Sequence, residues 1–312
     1  MLIAAIDPRE PWGVDAGVRA AIAILEKVIE QDVERDEQGQ LRLRQGVAKD
    51  RLISVGDPEM RRGHKSQSEA FEGYKFHHTT EPVHGFVLAH EVTGANVHDS
   101  VPSEPMAERA EETSGCIVEK IIGDCAYGTE KNRLAHAEAA RELVAKLPRA
   151  PEGGLFPKKA FVINLTARTV TCPQGVTTGQ FEVVRARTAE VGRETLRPDE
   201  RSRLFVFNTP ACDECPHRTR CIPADKSVRT LEVGPHEDLT LAARAYETTP
   251  AYSQDRRTRQ VAERMVARMV QLGARTARVF GLAKVRAQIA MIAAVANLTR
   301  LTTRMAALAR AA

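Results

Sequence analysis

The spacing of apolar residues predicts that the chain begins with an amphipathic helix. Between residues 15 and 34, apolar side chains recur every three or four positions, as they do along one face of a helix. We expect this helix to pack against the rest of the protein by that face. The residues concerned are Val18, Ala21, Ile22, Ile24, Leu25, Val28 and Ile29.

Strand-like runs follow the helix after a charged connector. The segments RLISV, FEGYKFHHTT and VHGFVLAHEVTG are separated by Gly, Pro and Asp, which indicates consecutive antiparallel strands. A helix is predicted over Glu104 to Glu112, then a strand over CIVEKIIGD and a largely helical stretch over GTEKNRLAHAEAARELVAKL. This combination predicts an α/β fold with a mixed sheet and flanking helices.

Residues 150–236 differ in character from what precedes them. Short strand candidates, FVINLTARTVTCP, GQFEVVRART, RLFVFN and SVRTLEV, alternate with turn residues and contain the clustered cysteines. Helical periodicity returns from about Glu237. We therefore predict a helical lead-in over 1–50, the first part of the core over 51–149, a β-rich insertion over 150–236, and basic helices over 237–312 that complete the core.

Composition limits the class of protein. The chain has 312 residues, of which 43% are hydrophobic, which is enough for a substantial core. No uninterrupted run of eighteen apolar residues occurs, and the first residues lack the features of a signal peptide, so we expect a soluble cytoplasmic protein. Aromatic residues make up 4% of the chain, which argues against a base-stacking platform for single strands.

Charge is distributed unevenly along the chain. Residues 251–312 contain twelve Lys or Arg and two acidic residues, so this segment carries +10 while the remainder carries −6. A basic helical segment on an acidic body suits binding to a polyanion, because Lys and Arg near phosphates release condensed counterions. The alternative is a solvated, arginine-rich helix surface.

Asp124 ends an otherwise apolar strand in the segment IIGDCAYGTE. A carboxylate at such a position is costly to desolvate unless it is hydrogen-bonded, paired or holding a cation. The alternative to a functional role is that Asp124 caps the helix that follows, since Asp is among the best N-cap residues.

Several segments in order resemble bacterial insertion-sequence transposases of the DDE type. They are SVGDPEMRRGHKSQSEAFEGYKFH, VTGANVHDS, IIGDCAYGT, the cysteine cluster, and the stretch from RRTRQVAERMVARMVQLG to AVANLTRL. The resemblance implies a ribonuclease-H-like mixed sheet, interrupted by the β-rich insertion, in which three carboxylates hold two Mg²⁺ or Mn²⁺ ions. It places the second carboxylate at Asp124, followed by Tyr127, and the third at Glu263, preceded by Arg259.

The chemistry of strand cleavage explains the need for carboxylates. Two hard cations held by oxygen ligands activate an attacking water or 3′-hydroxyl and stabilise the departing oxygen of a phosphodiester. The alternative for Glu263 is an exposed helical residue paired with Arg259 at i−4. The family's other signature positions fall on Arg256, where a Tyr is expected, and on Val270, where a Lys is expected.

The family's first carboxylate has no counterpart at its usual place, ahead of a helical segment like residues 15–34. Asp57, in ISVGDPE, is the local candidate to complete a triad, although Gly-Asp-Pro is also an ordinary turn. The family's N-terminal DNA-binding region is also missing, so we expect a truncated copy. Without the first carboxylate, we expect little or no strand cleavage from this chain alone.

Four cysteines form a second candidate site. A C-x-x-C pair with two further thiols, at Cys172, Cys212, Cys215 and Cys221, predicts a structural Zn²⁺ in the β-rich module. The alternative is a set of reduced cysteines without metal. Cys116 and Cys125 are predicted to be small apolar residues in or beside the core.

The resemblance implies double-stranded DNA, both mobile-element ends and target, as the partner of a homodimeric synaptic complex. Candidate contacts to DNA phosphates are His64, Lys65, Lys75, Arg256, Arg259, Arg264 and Arg268. Two other functions stay open. One is a non-catalytic DNA-binding remnant, and the other is a ribonuclease-H-like nuclease that uses Asp57, Asp124 and Glu263 on another nucleic acid.

Overall fold

Two structural units make up the chain. The computed structural model describes residues 15–45, 48, 50–65, 68–148, 154–184, 201–207 and 210–311. The first unit comprises Met1–Ile121 together with Arg256–Ala312, and the second comprises Ile122–Asp255. The C-terminal helices thus belong to the same unit as the beginning of the chain.

The first helix, α1, spans Ala16–Asp32 and confirms the helix predicted there. Asp15 caps it, because its carboxylate accepts hydrogen bonds from the backbone N–H groups of Gly17 and Val18. The expected apolar docking face is only partly covered within the described residues, since Val18, Ile22 and Val28 are half-buried and no residue of α1 is fully buried. The charged connector forms an antiparallel hairpin of β1 (Val33–Arg35) and β2 (Leu41–Leu43).

A three-stranded antiparallel sheet follows, made of β3 (Arg61–His64), β4 (Ala70–Thr80) and β5 (Val87–Gly94). The strands predicted over FEGYKFHHTT and VHGFVLAHEVTG are therefore confirmed. The strand predicted over RLISV is wrong. The N–H and C=O of Leu52 bond instead to the Gln31 side-chain amide, at 2.9 Å each, so a side chain occupies the groups that a neighbouring strand would use.

Three helices cover this sheet. The predicted helix near residue 104 is present as α2 (Ser103–Ser114), which packs against β5. Helix α8 (Gln260–Met269) packs on β4, and α9 (Leu282–Ala311) packs on β5. A π-helical turn, Val270–Ala274, joins the last two helices, and Gly273 adopts a φ of 105° there, which suits glycine. The core of this unit contains Val87, Val92, Met265, Met269, Val285, Ile289, Ile292, Ala293 and Ala296.

A strand, helix and strand begin the second unit. Strand β6 (Lys120–Gly123) pairs with β7 (Glu142–Ala145), and α3 (Glu130–Glu138) lies between them in sequence. The helical stretch predicted over 128–147 is therefore right for α3 and wrong for its last residues. Arg133 of α3 donates to the carbonyl groups of Leu143 and Ala145, which fixes β7 against the helix.

The predicted β-rich character of the following segment is confirmed. One antiparallel sheet contains β8 (Val162–Asn164), β9 (Thr169–Thr171) and β10 (Thr177–Thr178). Another contains β11 (Phe181–Val183), β12 (Arg203–Phe207) and β13 (Arg229–Val233). Both contribute to one apolar cluster of Phe161, Val170, Phe205, Phe207, Leu231 and Val233. The predicted strand over GQFEVVRART lies partly outside the described residues.

Helices complete the second unit and lead back to the first. Two short helices, α4 (Pro210–Asp213) and α5 (Arg218–Cys221), precede β13. Helices α6 (Glu237–Tyr246) and α7 (Pro250–Thr258) follow it. The protein is therefore a mixed α/β protein, as predicted. Instead of the one mixed sheet expected from the sequence, the described strands form several small sheets of two or three strands.

Candidate functional site

Asp124 follows β6 and begins the 3₁₀ turn Cys125–Tyr127. Its Oδ1 accepts the backbone N–H of Ala126 at 2.9 Å, so Asp124 does cap the following turn. The side chain is exposed, and no hydrogen bond to its Oδ2 occurs within the described part of the chain. Capping therefore uses one carboxylate oxygen and leaves the other able to bind a cation.

Glu263 lies in the first turn of α8, in the first unit, whereas Asp124 belongs to the second. Its Oε1 accepts a hydrogen bond from Nη2 of Arg259 at 2.6 Å, and 57% of its side chain is exposed. This is the i,i+4 ion pair that the sequence offered as the alternative role of Glu263. An exposed pair of this kind adds little to stability, so Arg259 can exchange with another cation at small cost.

Asp57 differs from the other two carboxylates because it is 4% exposed. Both of its carboxylate oxygens lie within hydrogen-bonding distance of the Tyr74 hydroxyl, at 2.7 and 2.9 Å. Its C=O accepts the N–H of Met60, which closes the turn that Gly-Asp-Pro predicts. Burial, followed by the hydrogen bond to Asp57, raises the pKa of Tyr74 far above its usual range. Asp57 therefore acts as an internal acceptor.

The three candidate carboxylates differ in how well each one fits a metal ion. Among the residues that the structure describes, no group of three or more His, Cys, Asp or Glu side chains is arranged to hold a metal ion. Asp124 and Glu263 each offer an exposed carboxylate, which fits a hard cation such as Mg²⁺. Buried Asp57, bonded to Tyr74, does not fit without rearrangement.

The turn formed by Asp57, Pro58 and Glu59 has a role that the sequence does not indicate. Glu59 Oε2 accepts the backbone N–H of Leu282 at 2.8 Å, so the turn caps the start of α9 from far away in sequence. Only a tertiary structure reveals this cap, because the two partners are 223 positions apart.

The predicted DNA-contact residues near β3 and β4 differ in availability. His64 and Lys65 are exposed, and Lys65 forms a loose ion pair with Glu69 at 3.4 Å. Lys75 is already engaged, because its Nζ donates to the Val97 carbonyl at 3.0 Å and to Asp99 at 2.8 Å. His64 and Lys65 are thus better placed than Lys75 to meet a phosphate.

Helices α7 and α8 present most of the other predicted contacts. Arg256 and Arg264 are exposed, Arg268 is half-buried, and Arg259 is held by Glu263. Arg264 and Arg268 are four residues apart and therefore lie on one side of α8. The exposed guanidinium groups make this part of the chain a candidate surface for a polyanion.

All six cysteines lie within the described residues, and none of them forms a disulfide bond there. Burial raises the pKa of the Cys221 thiol; Arg229 opposes this effect, and charges on Cys172, Cys212 and Cys215 add to it. The four predicted zinc ligands thus share one electrostatic neighbourhood, and three of them, Cys172, Cys212 and Cys221, pack against the apolar cluster of the second unit. They are not arranged as a metal-binding group in the structure.

The prediction for the remaining two cysteines is wrong. Cys116 and Cys125 were expected in or beside the core, but both are exposed. Cys116 follows the end of α2, where Gly115 adopts a left-handed conformation. Cys125 lies in the 3₁₀ turn capped by Asp124. Each residue is thus in a surface turn, beyond the apolar run that suggested burial.

Comparison with known protein families matches residues 171–302 to the family model described as a transposase DDE domain. The matched segment includes the four clustered cysteines, Arg259 and Glu263, and it begins after Asp57 and Asp124. Comparisons with curated proteins and with solved structures give no significant match.

Proposed function

We propose that this chain, whose residues 171–302 match the transposase DDE domain, is a DDE-type transposase catalytic region with a ribonuclease-H-like core. Its substrate would be double-stranded DNA at the ends of a mobile element and at the target. The family match carries this proposal, because the matched segment contains Glu263 in its Arg259 context. A protein that acts on DNA in this way would work in the cytoplasm of a bacterium.

DDE transposases generally use divalent metal ions, and we propose Asp124 and Glu263 as ligands of Mg²⁺ or Mn²⁺. The exposure of both carboxylates supports this role. Each also has one oxygen free of hydrogen bonds within the described residues. When bound, the metal ions would activate the attacking hydroxyl and stabilise the leaving oxygen. Asp124 and Glu263 would hold the ions, and Arg259 would give up its bond to Glu263.

Metal binding tests this assignment without any need for catalysis. Titration of Mn²⁺ into the full chain, followed by electron paramagnetic resonance, should show weaker binding by about tenfold or more in Asp124→Asn and in Glu263→Gln. Asp225→Asn, which changes another exposed Asp in the second unit, is the matched control and should bind as the wild type does. Unchanged Mn²⁺ affinity in both ligand variants would contradict the proposal.

A second candidate function is a DNA-binding remnant without catalysis. The absence of a three-member ligand group within the described residues favours it, because two-metal chemistry needs more ligands than two carboxylates supply. A nicking assay on supercoiled DNA with Mn²⁺ separates the two functions. Cleavage that is lost in Asp124→Asn and Glu263→Gln supports the transposase, whereas DNA binding without any cleavage supports the remnant.

We also propose that the four clustered cysteines of the second unit hold a structural zinc ion. Its support is the shared neighbourhood of the four thiols, and forming a closed site would require them to draw together. Protein purified without chelator should contain about one zinc per chain. Cys212→Ser should lose the metal, and Cys116→Ser, at an exposed cysteine outside the cluster, should keep it. Wild-type protein without zinc would contradict the proposal and would mean that the four cysteines are reduced thiols without a metal.

A further inference from the structure

Helix α9 has two apolar faces, and only one of them is covered. The inner face is buried in the core of the first unit through Val285, Ile289, Ile292, Ala293 and Ala296. The outer face carries large apolar side chains that are between 45% and 67% exposed. They are Met291, Val295, Leu298, Leu301, Met305 and Leu308. So many exposed apolar side chains on one helix face indicate an interaction surface.

The outer apolar residues follow a heptad repeat. Counting from Ala287 to Leu308, the spacings alternate between four and three residues, which is the a and d pattern of a coiled coil. We call this set the outer seam; its members are Ala287, Met291, Ala294, Leu298, Leu301, Met305 and Leu308. Since a spacing of 3.5 residues matches a supercoiled partner helix, the repeat indicates that the surface is made for another helix.

The charges of α9 are compatible with a second copy of the same helix. The helix contains no acidic residue. Arg286 is bonded to Glu91, and Arg300 donates to the carbonyl of His84, so both are held away from the seam. Arg304 flanks the seam at a g position and in a parallel pair would face Ala309 at an e position of the second copy. Between Ala287 and Leu308, two copies can therefore meet without placing like charges together, and Lys284, at the preceding a position, lies outside the seam.

We propose that the outer seam of α9 pairs two copies of this chain. Five large side chains from each copy, buried at the area expected for Leu and Met, would remove roughly 600 to 1,200 Å² from water. That range includes the roughly 1,000 Å² needed for a biological interface. Because this buried area is close to the lower limit for a biological interface, we expect a dimer that forms reversibly. The inference concerns self-association and holds whether or not the chain cleaves DNA.

A membrane is the other partner that an apolar helix could meet. By length and composition, α9 would suffice to cross one, with 28% of its most apolar window buried inside the protein. Three observations favour a helix partner. The inner face already packs on the protein's own core, Arg300 and Arg304 interrupt the apolar stretch, and the outer residues follow the heptad spacing.

The test is the mass of the full chain in solution. Sedimentation equilibrium in high salt after nuclease treatment, which removes DNA that could bridge two chains, should show a monomer and dimer in equilibrium over micromolar concentrations. The double variant Leu298→Glu and Met305→Glu should raise the dimer dissociation constant by about 100-fold or more, because four carboxylates would be buried in an apolar seam.

The matched control is the double variant Thr299→Glu and Thr303→Glu, which adds the same charge at exposed positions beside the seam. It should dimerise as the wild type does, and thermal unfolding should show that both variants are folded. A monomeric wild type, or equal weakening in both variants, would overturn the proposal. Flotation of the wild type with phosphatidylcholine vesicles, lost only in the seam variant, would also overturn it by assigning the seam to a membrane.

Discussion

At the scale of single residues, surroundings rather than residue type separate the three candidate carboxylates. Asp124 and Glu263 are exposed, and each keeps a carboxylate oxygen that could reach a cation. Asp57 is buried and faces a single donor, the Tyr74 hydroxyl. Sequence reasoning identified all three positions and held Asp57 to be the weakest candidate, because Gly-Asp-Pro is an ordinary turn, but it could not identify Tyr74 as its partner. The two exposed residues therefore carry the metal hypothesis.

The Asp57 and Tyr74 pair yields a prediction about stability. Tyr74→Phe removes the one side-chain donor to a buried carboxylate, so it should lower the free energy of unfolding by about 1–3 kcal/mol. Asp57→Asn should cost less, because the amide oxygen still accepts the hydroxyl proton. Urea unfolding of both variants and their double variant measures the coupling between the two side chains. Weaker Mn²⁺ binding by a stably folded Asp57→Asn would instead show that Asp57 is a metal ligand.

His78 yields a prediction about acid stability. Burial, and then the charge of neighbouring His77, lowers the pKa of His78 to about 4 from an ordinary 6.5. Its folded-state pKa is depressed, so the unfolded chain takes up the proton first, and stability present above pH 6.5 is lost as the pH falls toward 4. Between pH 7 and pH 5 this loss amounts to about 2 kcal/mol.

The variant His78→Gln cannot titrate, so its unfolding free energy should fall less than that of the wild type between pH 7 and pH 5. Urea unfolding at the two pH values measures the difference. His64→Gln, which changes an exposed histidine on β3, is the control and should keep the wild-type pH dependence. Equal acid sensitivity of His78→Gln and the wild type would show that other groups cause the loss.

At the scale of secondary structure, local pattern predicted those elements whose backbone hydrogen bonds stay within one helix or between neighbouring strands. Strand-like runs bounded by Gly, Pro and Asp sufficed to predict β4 and β5, and the helical spacing of apolar residues sufficed for α1 and α2. The strand predicted over RLISV does not form because the Gln31 side chain bonds to the backbone of Leu52. Nothing in the local sequence indicates that contact. The helix predicted over 128–147 ends early because Ala140 adopts a positive φ of 54°. The chain then continues as strand β7.

Helix α9 also completes the edge of the first unit's sheet, which yields a prediction at this scale. The Asn297 side chain accepts the N–H of Val87 at 2.8 Å and donates to its C=O at 2.9 Å, at the start of β5. Asn297→Leu would leave both buried backbone groups without partners and should lower the unfolding free energy by about 2–4 kcal/mol. Thr303→Leu, at an exposed position of the same helix, should cost little. Chemical denaturation compares the two.

At the scale of the whole molecule, the order of segments along the chain determines which of them belong to each unit. The chain leaves the first unit after Ile121 and returns to it at Arg256, so the β-rich segment and its cysteines belong to the second unit. The insertion over 150–236, which the sequence predicts from the change in composition near residue 150, stays a prediction, because the second unit begins earlier, at Ile122. The sequence could not give the assembly of the carboxylates, because Asp124 and Glu263 belong to different units.

The charge of the C-terminal segment yields the last prediction. Residues 251–312 carry +10, and few of their side chains can read bases, so binding to duplex DNA should rest on phosphate contacts and depend little on sequence. If about five phosphates are contacted, the logarithm of the association constant should fall with the logarithm of salt concentration with a slope of about −4.5. Fluorescence anisotropy with duplexes of unrelated sequence measures this slope.

A paired set of variants locates the contact surface. The double variant Arg264→Gln and Arg268→Gln should reduce the steepness of that slope by about 2, because each lost phosphate contact removes roughly one unit. The double variant Arg42→Gln and Arg44→Gln removes the same charge near the hairpin of β1 and β2, where both arginines pair with Glu34, and should leave the slope unchanged. A salt dependence that is flat, or reduced equally by both pairs, would mean that the basic helices do not bind the DNA backbone.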